Sequence, residues 1–259
     1  MTTPALPDLV VPSRFNGPPH SGNGGWTCGA LATMLPAADL GSTSPVVQVR
    51  LSAPPPLDVP MQVAGREGSV TASDSRGPVA TAVAVPSPFT AAAPEPVSWE
   101  VASAAEARYR GLADHPFPTC FSCGTARDDG LGLRPGPLLD RPDVTACTWT
   151  PDGSDGSDIG GPVTWAALDC PGGWSVDLAG RPMVLGTMTT RLDAAPRAGQ
   201  RHVVMGRVLR QEGRKAWTET ALYALGRSDA APRLLARAAA VWIAVDVSAV
   251  SAAPRNDAQ

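Results

Sequence analysis

Three short patterns occur twice in this chain, in the same order and at nearly constant spacing, and a chain that repeats itself has few folds open to it. Gly24-Gly25 before an apolar run returns as Gly160-Gly161, 136 residues on. Arg50-Leu51-Ser52-Ala53-Pro54-Pro55-Pro56 returns as Arg191-Leu192-Asp193-Ala194-Ala195-Pro196-Arg197, 141 residues on. Val63-Ala64-Gly65-Arg66-Glu67-Gly68 returns as Val208-Leu209-Arg210-Gln211-Glu212-Gly213, 145 residues on. A bias toward Arg, Ala, Pro and Gly would give isolated matches, but not a shared order with a slowly growing offset. The 259 residues can hold two units of roughly 100–130 residues, each able to bury its own core.

Each half then reads alike. A Gly-Gly loop leads into a short helix, Trp26 to Leu35 and Pro162 to Cys170. Pro162 suits the first helical position, where its missing N–H costs nothing, and Pro171-Gly172-Gly173 is expected to end the second helix. Strand-like runs follow: Val46 to Ser52, Pro60 to Ala64, Ser69 to Ser73 and Val79 to Val85, then Leu185 to Leu192, His202 to Arg210, Ala216 to Leu225 and Leu235 to Val245. β-branched residues and rough alternation mark them, and Glu67-Gly68 and Glu212-Gly213 sit where hairpin turns are needed. A helix followed by antiparallel strands is an α+β unit. The expected boundaries are 10–88 for the first unit, 89–145 for a linker, 146–248 for the second unit and 249–259 for a disordered tail. Within the linker, Ala91 to Arg110 reads as a short helix and His115 to Pro137 as a long loop.

Composition narrows the partners. A net charge of −3 and a pI near 5.6 argue against nucleic acid. No apolar run is long enough for a membrane helix, and Met1 to Phe15 lacks the pattern of a signal peptide. Five cysteines make no even disulfide framework, which points to free thiols in a cytoplasm.

In the second half, Gly-Gly, an apolar helix carrying an Asp, a strand, Arg-Leu-x-Ala-x-Pro-x-Ala-Gly and then Gln-Glu-Gly-Arg resemble the small hotdog thioesterases of the phenylacetyl-CoA type. The first half, with Phe15-Asn16-Gly17-Pro18-Pro19 and Ser21-Gly22-Asn23-Gly24-Gly25, resembles the N-terminal halves of fused actinobacterial thioesterase-like proteins. The resemblance implies a double hotdog: two fused α+β units, each a central helix wrapped by an antiparallel sheet, sharing one continuous sheet. It implies an acyl-CoA or acyl-carrier thioester as substrate, no cofactor, and further packing into a homo-oligomer.

Thioester hydrolysis needs donors aimed at the developing oxyanion and a carboxylate to activate water or attack the carbonyl. A Gly-rich helix start supplies free N–H groups and lets a substrate come close. Only the second half has the carboxylate. Asp169 lies eight residues after Gly161 in an otherwise apolar stretch, where a raised pKa is expected. The matching position in the first half is Ala32 or Thr33. In the family the helix start comes from one unit and the carboxylate from the other, so the resemblance pairs Gly24 and Gly25 with Asp169 and leaves the mirror site without a base. The alternative is that Asp169 merely caps something near Pro171.

Other candidates carry two readings each. Asn23 contacts the thioester or caps the helix, and His20 stands in the same loop. Thr189 or Thr190 orients the water, as a strand hydroxyl does in larger double hotdogs, or is a plain strand residue. Arg191 meets coenzyme A phosphates or lies on a solvated face. Trp26, Trp165 and Trp174 line an acyl pocket or the core. Cys120-Phe121-Ser122-Cys123 is a lone CxxC; a structural zinc needs four ligands, His115 alone does not complete them, and the expected metal is none. Cys28 and Cys170 read as core residues. No Gly-x-Ser-x-Gly elbow occurs, which excludes an α/β-hydrolase. Two other functions compete: a hotdog hydratase or dehydratase, against which the missing Asp-x4-His pattern counts, and a non-catalytic acyl-thioester binding protein.

Overall fold

The computed structural model describes residues 6–36, 40, 45–85, 89, 92–153, 159, 161–226 and 231–251. Ten strands form one sheet: β1 (Val46–Leu51), β2 (Gln62–Arg66), β3 (Ser69–Asp74), β4 (Gly77–Val85), β5 (Gly136–Pro137), β6 (Val144–Trp149), β7 (Met183–Leu192), β8 (His202–Glu212), β9 (Lys215–Ala224) and β10 (Arg233–Ala244). Their order is β2-β3-β4-β1-β7-β10-β9-β8-β6-β5, and every pairing is antiparallel. Outward from the β1–β7 junction, β1-β4-β3-β2 and β7-β10-β9-β8 run in the same order. At that junction Gln48 pairs with Thr189, which is also its counterpart at the 141-residue offset of the sequence repeat, and the Gln48 amide donates to Thr189 Oγ1 at 3.1 Å. Equivalent residues facing one another is what a local two-fold axis produces.

Two helices cross the inner face: α1 (Gly24–Ala32) and α3 (Pro162–Trp174). Gly25 and Gly29 are four residues apart, hence on one face of α1, and both abut α3. A Cβ on Gly29 would fall 2.7 Å from Pro162 Cα. The outer face of the second half is covered by α2 (Trp99–Glu106), whose Ala102 and Ala105 pack with Val144, Ala146, Val203, Met205 and Ala221. A last short helix, α4, spans Val247–Ser251.

Several boundaries correct the sequence reading. Helix α3 runs through Pro171 to Trp174 rather than ending at Cys170. An internal proline forfeits a helix hydrogen bond, but here its carbonyl accepts Thr145 Oγ1–H at 2.8 Å, and Gly172 and Gly173 present bare backbone to Thr218 and to the Trp242 ring. Tertiary packing outweighs the local preference. The linker reading of 89–145 misses β5 and the start of β6. Val144 to Cys147 are all buried, because α3 and α2 cover opposite faces there, so no alternation betrays the strand. The expected helix from Ala91 to Arg110 is confined to Trp99–Glu106. The turn glycines are in place, Gly68 at φ 68° and Gly213 at φ 53°, although Glu212 itself pairs with Lys215, moving that turn to Gly213-Arg214. Of the expected tail, residues 252–259 lie outside the described residues.

Gly206 on β8 touches Pro171 so closely that an added Cβ would collide with the Pro171 carbonyl. Neither partner is a side chain that can swing away. Gly206→Ala is therefore expected to lower stability by about 3 kcal/mol, read as a fall in the urea midpoint.

Candidate active site

The N-terminus of α1 is built by Asn23. Its side-chain Oδ1 accepts the Trp26 N–H at 2.8 Å, and the capping reading of this residue is what the geometry realises. The amide Nδ2 turns the other way and donates to Ser122 Oγ at 3.2 Å, tying the helix start to the Cys120–Cys123 loop. Asn23→Ala should cost about 1–2 kcal/mol through the lost cap and the orphaned Ser122 contact, measurable as a lowered thermal midpoint.

Asp169 meets this helix start from α3. Its Oδ2 accepts the Gly25 N–H at 2.9 Å, while Oδ1 is shielded from water and accepts no hydrogen bond. The carboxylate is only 3% exposed. Burial pushes its pKa up to about 7 against the Gly25 hydrogen bond; the Cys120 sulfur adds to the rise and the Asn23 amide opposes it. The closeness requires glycine, since a Cβ on Gly25 would stand 2.6 Å from both Asp169 Cβ and the Trp165 carbonyl oxygen. At the mirror position Gly161 lies nearest to Thr33, whose methyl would be 3.9 Å from an added Cβ. Thr33 Oγ1–H is bonded back to the Ala30 carbonyl, and among the described residues no carboxylate stands there. Gly160 lies outside the described residues.

Asn23, Gly24 and Asp169 open onto a cavity of about 340 Å³, within the range of small-molecule sites. Trp174, Phe117, Leu185 and Trp242 supply much of its apolar wall. A Cβ on Gly24 would collide with Leu185 at 2.8 Å, so this glycine keeps the helix start bare beside the strand.

Other sequence candidates lie elsewhere. His20 is exposed and is not part of the cavity wall. Trp165 is buried against Gly29, and Trp26 stacks on Phe15 with ring centroids 4.4 Å apart; of the three tryptophans, Trp174 reaches the cavity. Thr190 points into the core with its hydroxyl unpartnered, away from the cavity wall, and Thr189 is engaged by Gln48. Arg191 pairs with Asp193 at 2.7 Å on the exposed side.

The sequence reading missed the sulfur cluster. Cys120 and Cys123 are not alone: Cys170, carried by α3 next to Asp169, brings three Sγ atoms within 4.8 Å of one another, and all three line the cavity. Cys120 and Cys170 Sγ are 3.8 Å apart. Neighbouring thiols hold Cys120 well below the usual thiol range. Burial pushes Cys123 up, and the hydrogen bond to Cys120 does the same to Cys170. A spacing of fifty residues hides such a cluster from any local motif.

The strand order and the two crossing helices define the class: the chain has a hotdog fold. No family model and no curated protein match it. Among solved structures it is similar to a provisional thioesterase from Novosphingobium aromaticivorans, with a TM-score of 0.61 at 15% identity over 95% of this chain and 100% of that one. It is also similar to a TesB protein from Mycobacterium avium subspecies paratuberculosis, with a TM-score of 0.55 at 14% identity over 93% and 91%. A hotdog protein of unknown function from Alicyclobacillus acidocaldarius gives 0.50 at 12% identity over 92% of each chain. At these identities the likeness is one of fold. No helix among the described residues is long and apolar enough to cross a membrane.

Proposed function

We propose that the chain is an acyl-thioester hydrolase made of two fused hotdog units, with one working site per chain where α1 of the first unit meets α3 of the second. The observation that carries this is Asp169: a buried carboxylate with one free oxygen, at a glycine helix start, in the wall of an apolar cavity. The acyl group occupies the apolar cavity. The thioester oxygen faces the Gly24 N–H, since the Gly25 N–H is engaged by Asp169 and the Trp26 N–H by Asn23. The Asp169 carboxylate, in the cavity wall, takes a proton from the attacking water once substrate and water occupy the cavity. Support for two units comes from the repeated strand order and the Gln48–Thr189 pairing at the junction. The thioesterase assignments of the structural neighbours favour the same chemistry.

The test is a panel of acyl-CoA esters, short, long, aromatic and enoyl, followed by release of free thiol. Hydrolysis by the wild type and its loss in Asp169→Asn is the expected result; a wild type inactive on the whole panel and on acyl-carrier thioesters would sink it. One observation favours a second reading. The Gly25 N–H bond makes Asp169 a pin between the helices, as a binding protein would keep it. That reading predicts acyl-CoA binding without turnover.

A further inference from the structure

We propose that Cys120, Cys123 and Cys170 bind one zinc-class metal ion as thiolates in the cavity wall, with the fourth coordination position open to the cavity. Zinc held by sulfur at about 2.3 Å in a tetrahedron sets neighbouring sulfurs about 3.8 Å apart, and the Cys120–Cys170 separation is 3.8 Å. The third sulfur falls inside the same 4.8 Å cluster.

N–H donors reach two of the three sulfurs. Asn23 Nδ2 approaches Cys120 Sγ at 3.7 Å. The Trp174 indole N–H donates to Cys123 Sγ at 3.3 Å. Sulfur is a poor acceptor while it carries its proton; N–H donors gathered on buried sulfurs are the outer contacts that metal-bound thiolates take. Three thiolates packed together in an apolar interior require a cation among them.

His115 has a different part. Its Nδ1 accepts the Phe117 N–H at 3.0 Å, so in the neutral ring Nε2 carries the proton. That nitrogen lies 3.2 Å from the Cys123 carbonyl oxygen and 3.4 Å from Cys123 Sγ, so its proton is held at Cys123 and the nitrogen is not a metal ligand. With three sulfurs as the protein's ligands, the remaining position faces the cavity they line. Soft sulfur donors select zinc over magnesium, calcium or manganese.

The site is tested without any substrate, so its fate is separate from that of the hydrolase reading. The full chain is expressed with zinc supplied, freed of loose metal, and assayed for metal content. About one zinc per chain is expected. Cobalt added to chelator-stripped protein should give thiolate-to-metal charge transfer and tetrahedral ligand-field bands. Cys170→Ser should lose the metal and His115→Ala should retain it. Restoring zinc to stripped wild type should raise the thermal midpoint by about 5 °C or more, a readout that survives even where a cysteine variant does not fold. Metal-free protein that takes up no cobalt would overturn the proposal. So would a disulfide between any two of the three cysteines, or an iron–sulfur chromophore. Loss of zinc in His115→Ala as complete as in Cys170→Ser would overturn the open fourth position.

Discussion

Asp169→Asn should abolish measurable hydrolysis while leaving the fold intact. The asparagine carbonyl can accept the Gly25 N–H as Oδ2 does now, so the contact between α1 and α3 persists. Its amide would take the place of Oδ1, which bonds to nothing. No charge need then be buried, which offsets the cost of the amide's unpaired N–H groups, so the variant is expected to stay close to the wild type in stability. The chemistry does not survive, because an amide cannot take the proton of an attacking water. General-base catalysis contributes roughly 10²- to 10⁴-fold, and kcat should fall by that factor with KM little changed. Thiol-release kinetics beside a urea titration of the same sample separate the two roles of this residue. Unchanged turnover in a folded Asp169→Asn would remove the carboxylate from the mechanism and leave it as a pin between helices.

Gly25→Ala has the opposite signature. The added methyl would meet Asp169 Cβ and the Trp165 carbonyl, each at 2.6 Å, and Ala166 Cα at 3.0 Å. Two of these are backbone atoms of α3 and the third is fixed to it, so relief requires the helices to separate. Overpacking of this kind typically costs about 1–3 kcal/mol, and the contact lies where both helices meet beside the cavity. Separation would also lengthen the Gly25–Asp169 hydrogen bond and displace the carboxylate from the Gly24 N–H. The expected outcome is a destabilisation of about 2–3 kcal/mol together with a fall in turnover; misplacement by an ångström alone can cost about 10²-fold. Gly161→Ala at the mirror position has room, with nothing among the described residues nearer than Thr33 at 3.9 Å, and should be nearly silent in both assays. If the two variants behave alike, the asymmetry argued for the halves is wrong.

The elements with clear periodicity were legible before any coordinates. Strands β1, β3 and β4 and the four long strands of the second half fall within two residues of their expected limits; alternation between core and solvent marks β3, β7 and β10, while β8 and β9 are marked by β-branched and apolar runs bounded by turn residues. The pairing of Gly25 with Asp169 was legible only through the family resemblance, which implies that the helix start of one unit meets the carboxylate of the other; the Gly25 N–H to Asp169 hydrogen bond brings the two residues together. Asn23 was left between two roles, and its bond to Trp26 N–H decided for the cap.

What sequence alone determined is the set of local preferences: a repeated helix-and-strand order, glycine where the chain must come close, and a single acidic residue on an apolar helix. Tertiary structure decided the rest. Helix α3 continues through Pro171 because packing on both sides outweighs one missing hydrogen bond, and β6 shows no alternation because both its faces are covered. His20, Thr190 and Arg191 fell away from the cavity because a strand or loop position in sequence does not say which wall it faces. Cys170 joined Cys120 and Cys123 because α3 carries it there, and proximity between residues fifty positions apart is a property of the folded chain that no local pattern encodes.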